Sequence, residues 1–204
     1  MGWLLRRSRS ILASAMATVL CGLWLTTPAA AGSMTTGGLT SQPIGHYEFC
    51  RIYQSECRQK RGPAAPITLT RSSWNDILDI NSAVNMIIEP RSDLEIYGRE
   101  EVWTFPDRAG DCEDYVLLKR QMLIERGISP SALLITVVRK PDGEGHAVLT
   151  VRTDRGDFVL DNLRTDVRLW LDTEYTYLKR QSERHAGLWV SIEMPDRVVV
   201  GAVE

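Results

Sequence analysis

The chain reads as an α+β protein, with N-terminal helices packed on an antiparallel β-sheet. Apolar residues recur near the 3.6-residue period in two stretches up to Arg126, then at the two-residue period from Ala132 onward. Short turns rich in Gly, Pro and Asp separate the later stretches in the manner of hairpins. Helices first and strands afterwards make a segregated architecture. With 204 residues, 44% hydrophobic and 25% charged, one core is expected.

Residues 1–31 read as a secretory signal peptide. A basic start (Arg6-Arg7-Ser8-Arg9) precedes an apolar run from Ile11 to Leu25, and small residues end it at Ala29-Ala30-Ala31. The alternative is an uncleaved anchor, but the run falls short of the roughly 20 residues a spanning helix needs. Cleavage near Ala31 is therefore expected, with a periplasmic mature protein and no stable membrane insertion. Losing the three arginines takes the formal charge from −2 to −5, and no nucleic-acid partner is expected.

Residues 32–45, rich in Gly, Ser and Thr, read as a flexible mature N-terminus, and 46–204 as the folded domain. Residues 58–66 read as a loop. Thr70 to Glu89 reads as a helix: Ser72 or Ser73 can cap it, and Trp74, Ile77, Leu78, Val84, Ile87 and Ile88 follow the helical period until Pro90. Residues 91–110 read as irregular, broken by Gly98, Pro106 and Gly110. A second helix opens at Gly110-Asp111-Cys112-Glu113-Asp114-Tyr115 and runs to Arg126. Asp111 is its expected N-cap, Asp114 completes a capping box, Tyr115, Leu118 and Met122 form an inward stripe, and Gly127 ends it. Ala132 to Arg139 is β-rich, Pro141 to Gly145 is a turn, His146 to Thr153 alternates, and Asp154 to Asp157 turns into a strand over Phe158 to Leu160. A last strand pair is expected at Gly187–Ile192 and Arg197–Ala202. No internal repeats occur.

Cys21 leaves with the signal. Of the remaining cysteines, Cys50 and Cys57 have six residues between them and can pair across a short loop in an oxidising compartment. Two ordinary thiols are the alternative. Cys112 is then odd, either a reactive thiol or a buried inert one. As the first residue of a helix it meets free N–H groups and the positive end of the dipole, which favour the thiolate. Asp111, Glu113 and Asp114 act oppositely, so something must neutralise them. No second close Cys or His pair supports a zinc site.

His146 begins a strand after a Gly-rich turn, where its ring can reach a helix end and take a thiol proton. The plainer alternative is a packed strand residue. Asp161 lies 15 positions later, on the partner strand of the hairpin, where its carboxylate can hold the imidazole tautomer. Alternatively it starts a turn with Asn162. A helix-start Cys followed by His and Asp on adjacent antiparallel strands is the order of papain-like and transglutaminase-like folds. The candidate catalytic set is Cys112, His146 and Asp161.

Gly-Asp-Cys-Glu-Asp-Tyr at 110–115, Gly-His-Ala-Val-Leu at 145–149 and Val-Leu-Asp-Asn-Leu at 159–163 resemble the bacterial transglutaminase-like cysteine peptidases, a family that includes LapG-type periplasmic proteases. The resemblance runs from about Cys50 to Ser182 and takes in the Cys50/Cys57 pair, Val84-Asn85, Asp93 with Tyr97-Gly98, and Trp103 before Pro106. It implies a thiol peptidase with Cys112 as nucleophile, His146 as general base and acid, and Asp161 as orienter. It also implies a Ca²⁺ site beside the nucleophile, onto which Asp111 and Glu113 map, with Asp114 as a less certain third acid. Helix capping alone is the alternative role for Asp111 and Glu113. Partners implied by the resemblance are a protein substrate, in LapG-type systems a large surface adhesin, and an inner-membrane receptor that sequesters the peptidase under cyclic-di-GMP control.

The backbone N–H of Cys112 is a candidate oxyanion donor, and Trp103 is a candidate second donor against a packing role. Two other functions share these residues: acyl transfer to an amine, and a non-catalytic binding module on the same scaffold. The short chain leaves little room for an amine channel, which favours hydrolysis.

Overall fold

The computed structural model describes residues 1, 32–58 and 62–195. The signal segment and the expected strand at Arg197–Ala202 lie outside the described residues. In chain order the elements are β1 (Thr35–Thr40), α1 (Ile44–Ile52), α2 (Arg71–Ile87), β2 (Glu89–Pro90), α3 (Asp93–Tyr97), β3 (Ala109–Gly110), α4 (Cys112–Glu125), β4 (Leu133–Arg139), β5 (Gly145–Thr153), β6 (Gly156–Leu160), β7 (Arg168–Leu169), β8 (Thr176–Gln181) and β9 (Trp189–Glu193). Short 3₁₀ turns occupy Gln54–Cys57, Pro130–Ala132 and Trp170–Asp172. Seven strands form one antiparallel sheet in the order β1-β9-β8-β4-β5-β6-β7, while β2 and β3 pair in parallel as a separate short ladder. The architecture is α+β.

The sheet is buried on both faces, which explains why its central strands are so apolar. Ala147, Leu149 and Val151 of β5 join α2 and α4 side chains (Ile77, Ile80, Val84, Tyr115, Leu117, Leu123) in the larger core. Val148, between them in sequence, points the other way into a second cluster with Val138, Val159, Trp170 and Tyr177. Each such aliphatic contributes roughly 1.5–3 kcal/mol on burial. α4 carries buried residues at Tyr115, Val116, Leu117, Lys119, Arg120 and Leu123, whereas Leu118 and Met122 are only half-buried. The inward face is thus wider than the expected stripe, because α4 contacts α2 as well as β4 and β5.

Several local expectations are corrected. Residues 35–40 form the edge strand β1, paired with β9, despite their Gly and Thr content. Backbone pairing requires no apolar pattern, so composition could not reveal it. Residues 91–110 contain α3, capped by the reciprocal Ser92–Glu95 box and ended by Gly98 at φ 68°. α2 is capped by Thr70, two residues before Ser72, and Ser73 completes the box from the third helical position. Asp111 occupies the N-cap position of α4 but makes no side-chain cap hydrogen bond. Asp114 makes no capping box; its Oδ1 accepts from the Thr104 amide at 2.9 Å.

Cys50 and Cys57 are joined in a disulfide with Cα atoms 5.5 Å apart. The bridged loop carries Glu56, whose Oε2 accepts from Arg120 Nη1 of α4 at 2.9 Å. Asn81 and Asn85 of α2 anchor the segment after β6. Asn85 Nδ2 donates to the carbonyls of Asp161 and Arg164, both at 2.9 Å, and Asn81 Nδ2 reaches those of Arg164 and Thr165.

Candidate active site

Cys112 opens α4, and what precedes it is built for close approach. A Cβ on Gly110 would lie 2.6 Å from Asp114 Oδ2, so only glycine lets the chain enter beside the buried Asp114 side chain. The half-buried Cys112 thiol meets β5, whose Ala147 amide donates to Sγ at 3.4 Å. Sγ itself donates to Glu113 Oε2 at 3.1 Å. Ala147 follows His146, so the sulfur lies against the backbone of the strand that carries the imidazole.

His146 and Asp161 are 6% and 2% exposed, and His146 Nε2 lies 2.8 Å from Asp161 Oδ1. The hairpin register brings them together: Leu149 pairs with Leu160, so residue 161 falls beside the start of β5. Asp161 Oδ1 also accepts from the Leu163 amide at 3.0 Å, and Oδ2 accepts from the Tyr175 hydroxyl at 2.6 Å. With Nε2 engaged by Asp161, Nδ1 is the ring nitrogen left for a thiol. Among the described residues no hydrogen bond yet joins that nitrogen to Sγ; nucleophile and base meet through the Ala147 backbone. In unliganded sites such contacts are commonly long.

The electrostatics divide the site in two. Burial alone would raise Asp161, but the His146 hydrogen bond and charge, the Tyr175 hydroxyl and the Leu163 amide outweigh it and hold the carboxyl below its ordinary range. Asp161 is therefore a carboxylate. At Cys112 the balance runs the other way: burial first, then the Glu113 charge, pushes the thiol well above its ordinary value. The helix start does not by itself supply a thiolate here, because burial, and then the neighbouring acids, outweigh its partial charge.

Those acids form a cluster of their own. Carboxylate oxygens of Asp93, Asp111 and Glu113 all lie within 4.8 Å of one another. Asp93 Oδ1 and Asp111 Oδ1 are buried without a hydrogen-bond partner. Burial and the Asp111 charge push Glu113 up to about 9. Burial, partly offset by the Val102 amide, raises Asp93. Three converging carboxylates, Asp93 and Glu113 buried and Asp111 half-buried, with orphaned oxygens on Asp93 and Asp111, fit a hard cation. The acid that joins Asp111 and Glu113 in this cluster is Asp93, at the start of α3; Asp114 Oδ1 accepts from the Thr104 amide, and its Oδ2 is buried without a hydrogen-bond partner among the described residues. His46 also converges with Cys50 and Cys57, but those sulfurs are consumed by the disulfide.

Trp103 packs in the larger core, and its indole Nε1 is buried there without a hydrogen-bond partner among the described residues. It is 6% exposed and edge-on to His46, with ring centroids 5.3 Å apart. Two contributors carried no functional signal in the chain: Asp93 stood among the resembling residues without a role, and Tyr175 sits in an unremarkable polar segment. Only the turn after β7 brings Tyr175 back to Asp161.

A thiol at a helix start, set against an antiparallel sheet bearing a buried imidazole–carboxylate pair, defines the class of papain- and transglutaminase-like thiol hydrolases. The chain belongs to the bacterial transglutaminase-like cysteine proteinase family, whose model matches residues 36–197. It is thus a cysteine peptidase by family. Calcium-bound LapG of Legionella pneumophila shares the fold, at 20% identity and TM-score 0.50 over 77% of this chain and 86% of that one. The EGTA-treated form of the same protein gives 22% identity and TM-score 0.49, over 74% and 80%. No curated protein matches the chain.

Proposed function

We propose that this protein is a periplasmic cysteine peptidase that hydrolyses a peptide bond of an exported protein through Cys112, His146 and Asp161. The observation that carries the reading is the buried 2.8 Å contact between His146 and Asp161, on the strand whose next amide touches the Cys112 sulfur. Asp161 keeps a proton on Nε2, so Nδ1 is the free base. The thiol proton passes to Nδ1 as Sγ adds to the substrate carbonyl carbon. The tetrahedral intermediate collapses with cleavage of the C–N bond, and the imidazolium returns the proton to the leaving amine. Water, deprotonated by His146, then adds to the thioester; the carboxylic acid leaves and the thiol is restored. The Cys112 amide at the start of α4 is the donor assigned to the oxyanion.

Asp93, Asp111 and Glu113 would hold Ca²⁺, with the remaining oxygen ligands from carbonyls and solvent. Bound there, the ion supplies positive charge against the carboxylates that flank the thiol. Export rests on the signal-like residues 1–31, and among the described residues no helix is long and apolar enough to cross a membrane. The family resemblance makes a large surface adhesin the first substrate to test and a cyclic-di-GMP-responsive inner-membrane receptor the first regulator. The decisive experiment compares exported proteins from wild-type cells and from Cys112→Ala, His146→Ala and Asp161→Asn strains. A single protein should persist uncut in all three variants. Identical profiles in all four strains would remove the peptidase reading.

A further inference from the structure

Asp161 offers two oxygens, and they are not equivalently held. Oδ1 receives His146 Nε2 and the Leu163 amide, whereas Oδ2 receives the Tyr175 hydroxyl at 2.6 Å. The Tyr175 ring also stands edge-on to the His146 ring, with centroids 5.6 Å apart and planes at 60°. Tyr175 is 9% exposed and joins the second core cluster. It enters from the loop between Trp170–Asp172 and β8, an element that contributes nothing else to the three candidate residues. A phenylalanine would fill the same space; only the hydroxyl needs the carboxylate. Burial, then the Asp161 hydrogen bond, pushes the phenol up, so it remains a protonated donor throughout the neutral range.

We propose that Tyr175 is a positioning residue for the active site: its hydroxyl fixes the Asp161 carboxylate, and its ring edge fixes the imidazole, so that His146 keeps its proton on Nε2 and presents Nδ1 to the Cys112 thiol. This rests on the Cys112–His146–Asp161 reading. Without the hydroxyl, Oδ2 loses its partner and the carboxylate plane can twist about the Cβ–Cγ bond, held only through Oδ1. Its alignment with His146 Nε2–H is then lost, and with it the preference that selects the tautomer.

Two readouts test this in the full mature chain. In a Cys112→Ala background at pH 8, ¹⁵N-histidine NMR should show His146 as the Nε2–H tautomer; adding Tyr175→Phe should give a mixture. With Cys112 intact, alkylation by iodoacetamide at pH 7 should slow about tenfold in Tyr175→Phe, the worth of one charge-assisted hydrogen bond. A wild-type tautomer ratio together with a wild-type alkylation rate overturns the proposal. If Tyr175→Phe does not fold, 3,5-difluorotyrosine at position 175 retains ring and hydroxyl while donating more strongly. The His146 Nε2 resonance should then shift, and an unchanged resonance overturns the proposal equally. A His146→Ala chain that alkylates as fast as wild type would instead sink the triad reading itself, whatever Tyr175 does.

Discussion

The Cys112 thiol donates a hydrogen bond to Glu113 Oε2 across 3.1 Å, so Glu113 competes with His146 as the partner of the thiol. A cation that claims Glu113 withdraws it from the sulfur. Calcium should therefore speed iodoacetamide alkylation of Cys112 at pH 7, and EGTA should slow it, by about tenfold for each unit of thiol pKa moved. A rate indifferent to both reagents would separate calcium from the thiol.

Asp93 tests whether the acid cluster is a binding site, because it lies 18 positions before Asp111 and only the fold brings it in. A ligand that binds the folded state alone stabilises by about 2.7 kcal/mol at a hundred times its Kd. The melting temperature of the wild type should rise with millimolar calcium, and that of Asp93→Asn should not. Asp114→Asn should keep the calcium response, since the converging oxygens are those of Asp93, Asp111 and Glu113. The reverse pattern would reinstate Asp114 as the third ligand.

Lys119 is fully buried on α4, and its Nζ has no hydrogen-bond partner among the described residues. Burial pulls its pKa from 10.5 to about 7, with the Asp161 charge opposing. The unfolded chain therefore binds more protons than the folded one between about pH 7 and 10.5, and stability gained from this group rises with pH through that window. Lys119→Met lacks this term. Relative to wild type, it should be most stable at pH 7 and below, and should lose that advantage by pH 10. Urea unfolding at pH 6.5 and pH 10 measures the difference; a difference independent of pH would mean that Lys119 titrates normally.

The Cys50–Cys57 disulfide closes the loop that carries Glu56 to Arg120. Arg120 is 5% exposed, and Glu56 is the carboxylate that meets it. Cys50→Ala/Cys57→Ala should lose about 2 kcal/mol or more in denaturant unfolding, as expected for a short cross-linked loop. Mass spectrometry of the exported protein without reductant should show a single free thiol, at Cys112. Three alkylatable thiols would refute the bridge.

The helix over residues 71–87, the hairpin at 145–160 and the second helix were legible because amphipathic period and turn chemistry are local properties. Their boundaries moved by a turn or less. β1 was invisible because an edge strand is defined by its partner β9, more than 140 residues away. The same distinction runs through the site. A helix-start thiol flanked by acids, and an imidazole and a carboxylate placed to meet across one hairpin, could be read from residue order alone. That Asp93 and not Asp114 completes the acid cluster, that Tyr175 closes on Asp161, and that burial with Glu113 outweighs the helix start at Cys112 were decided only in three dimensions. Each depends on distances between segments remote in the chain and on how far water is excluded from them, and neither quantity is encoded at any single position.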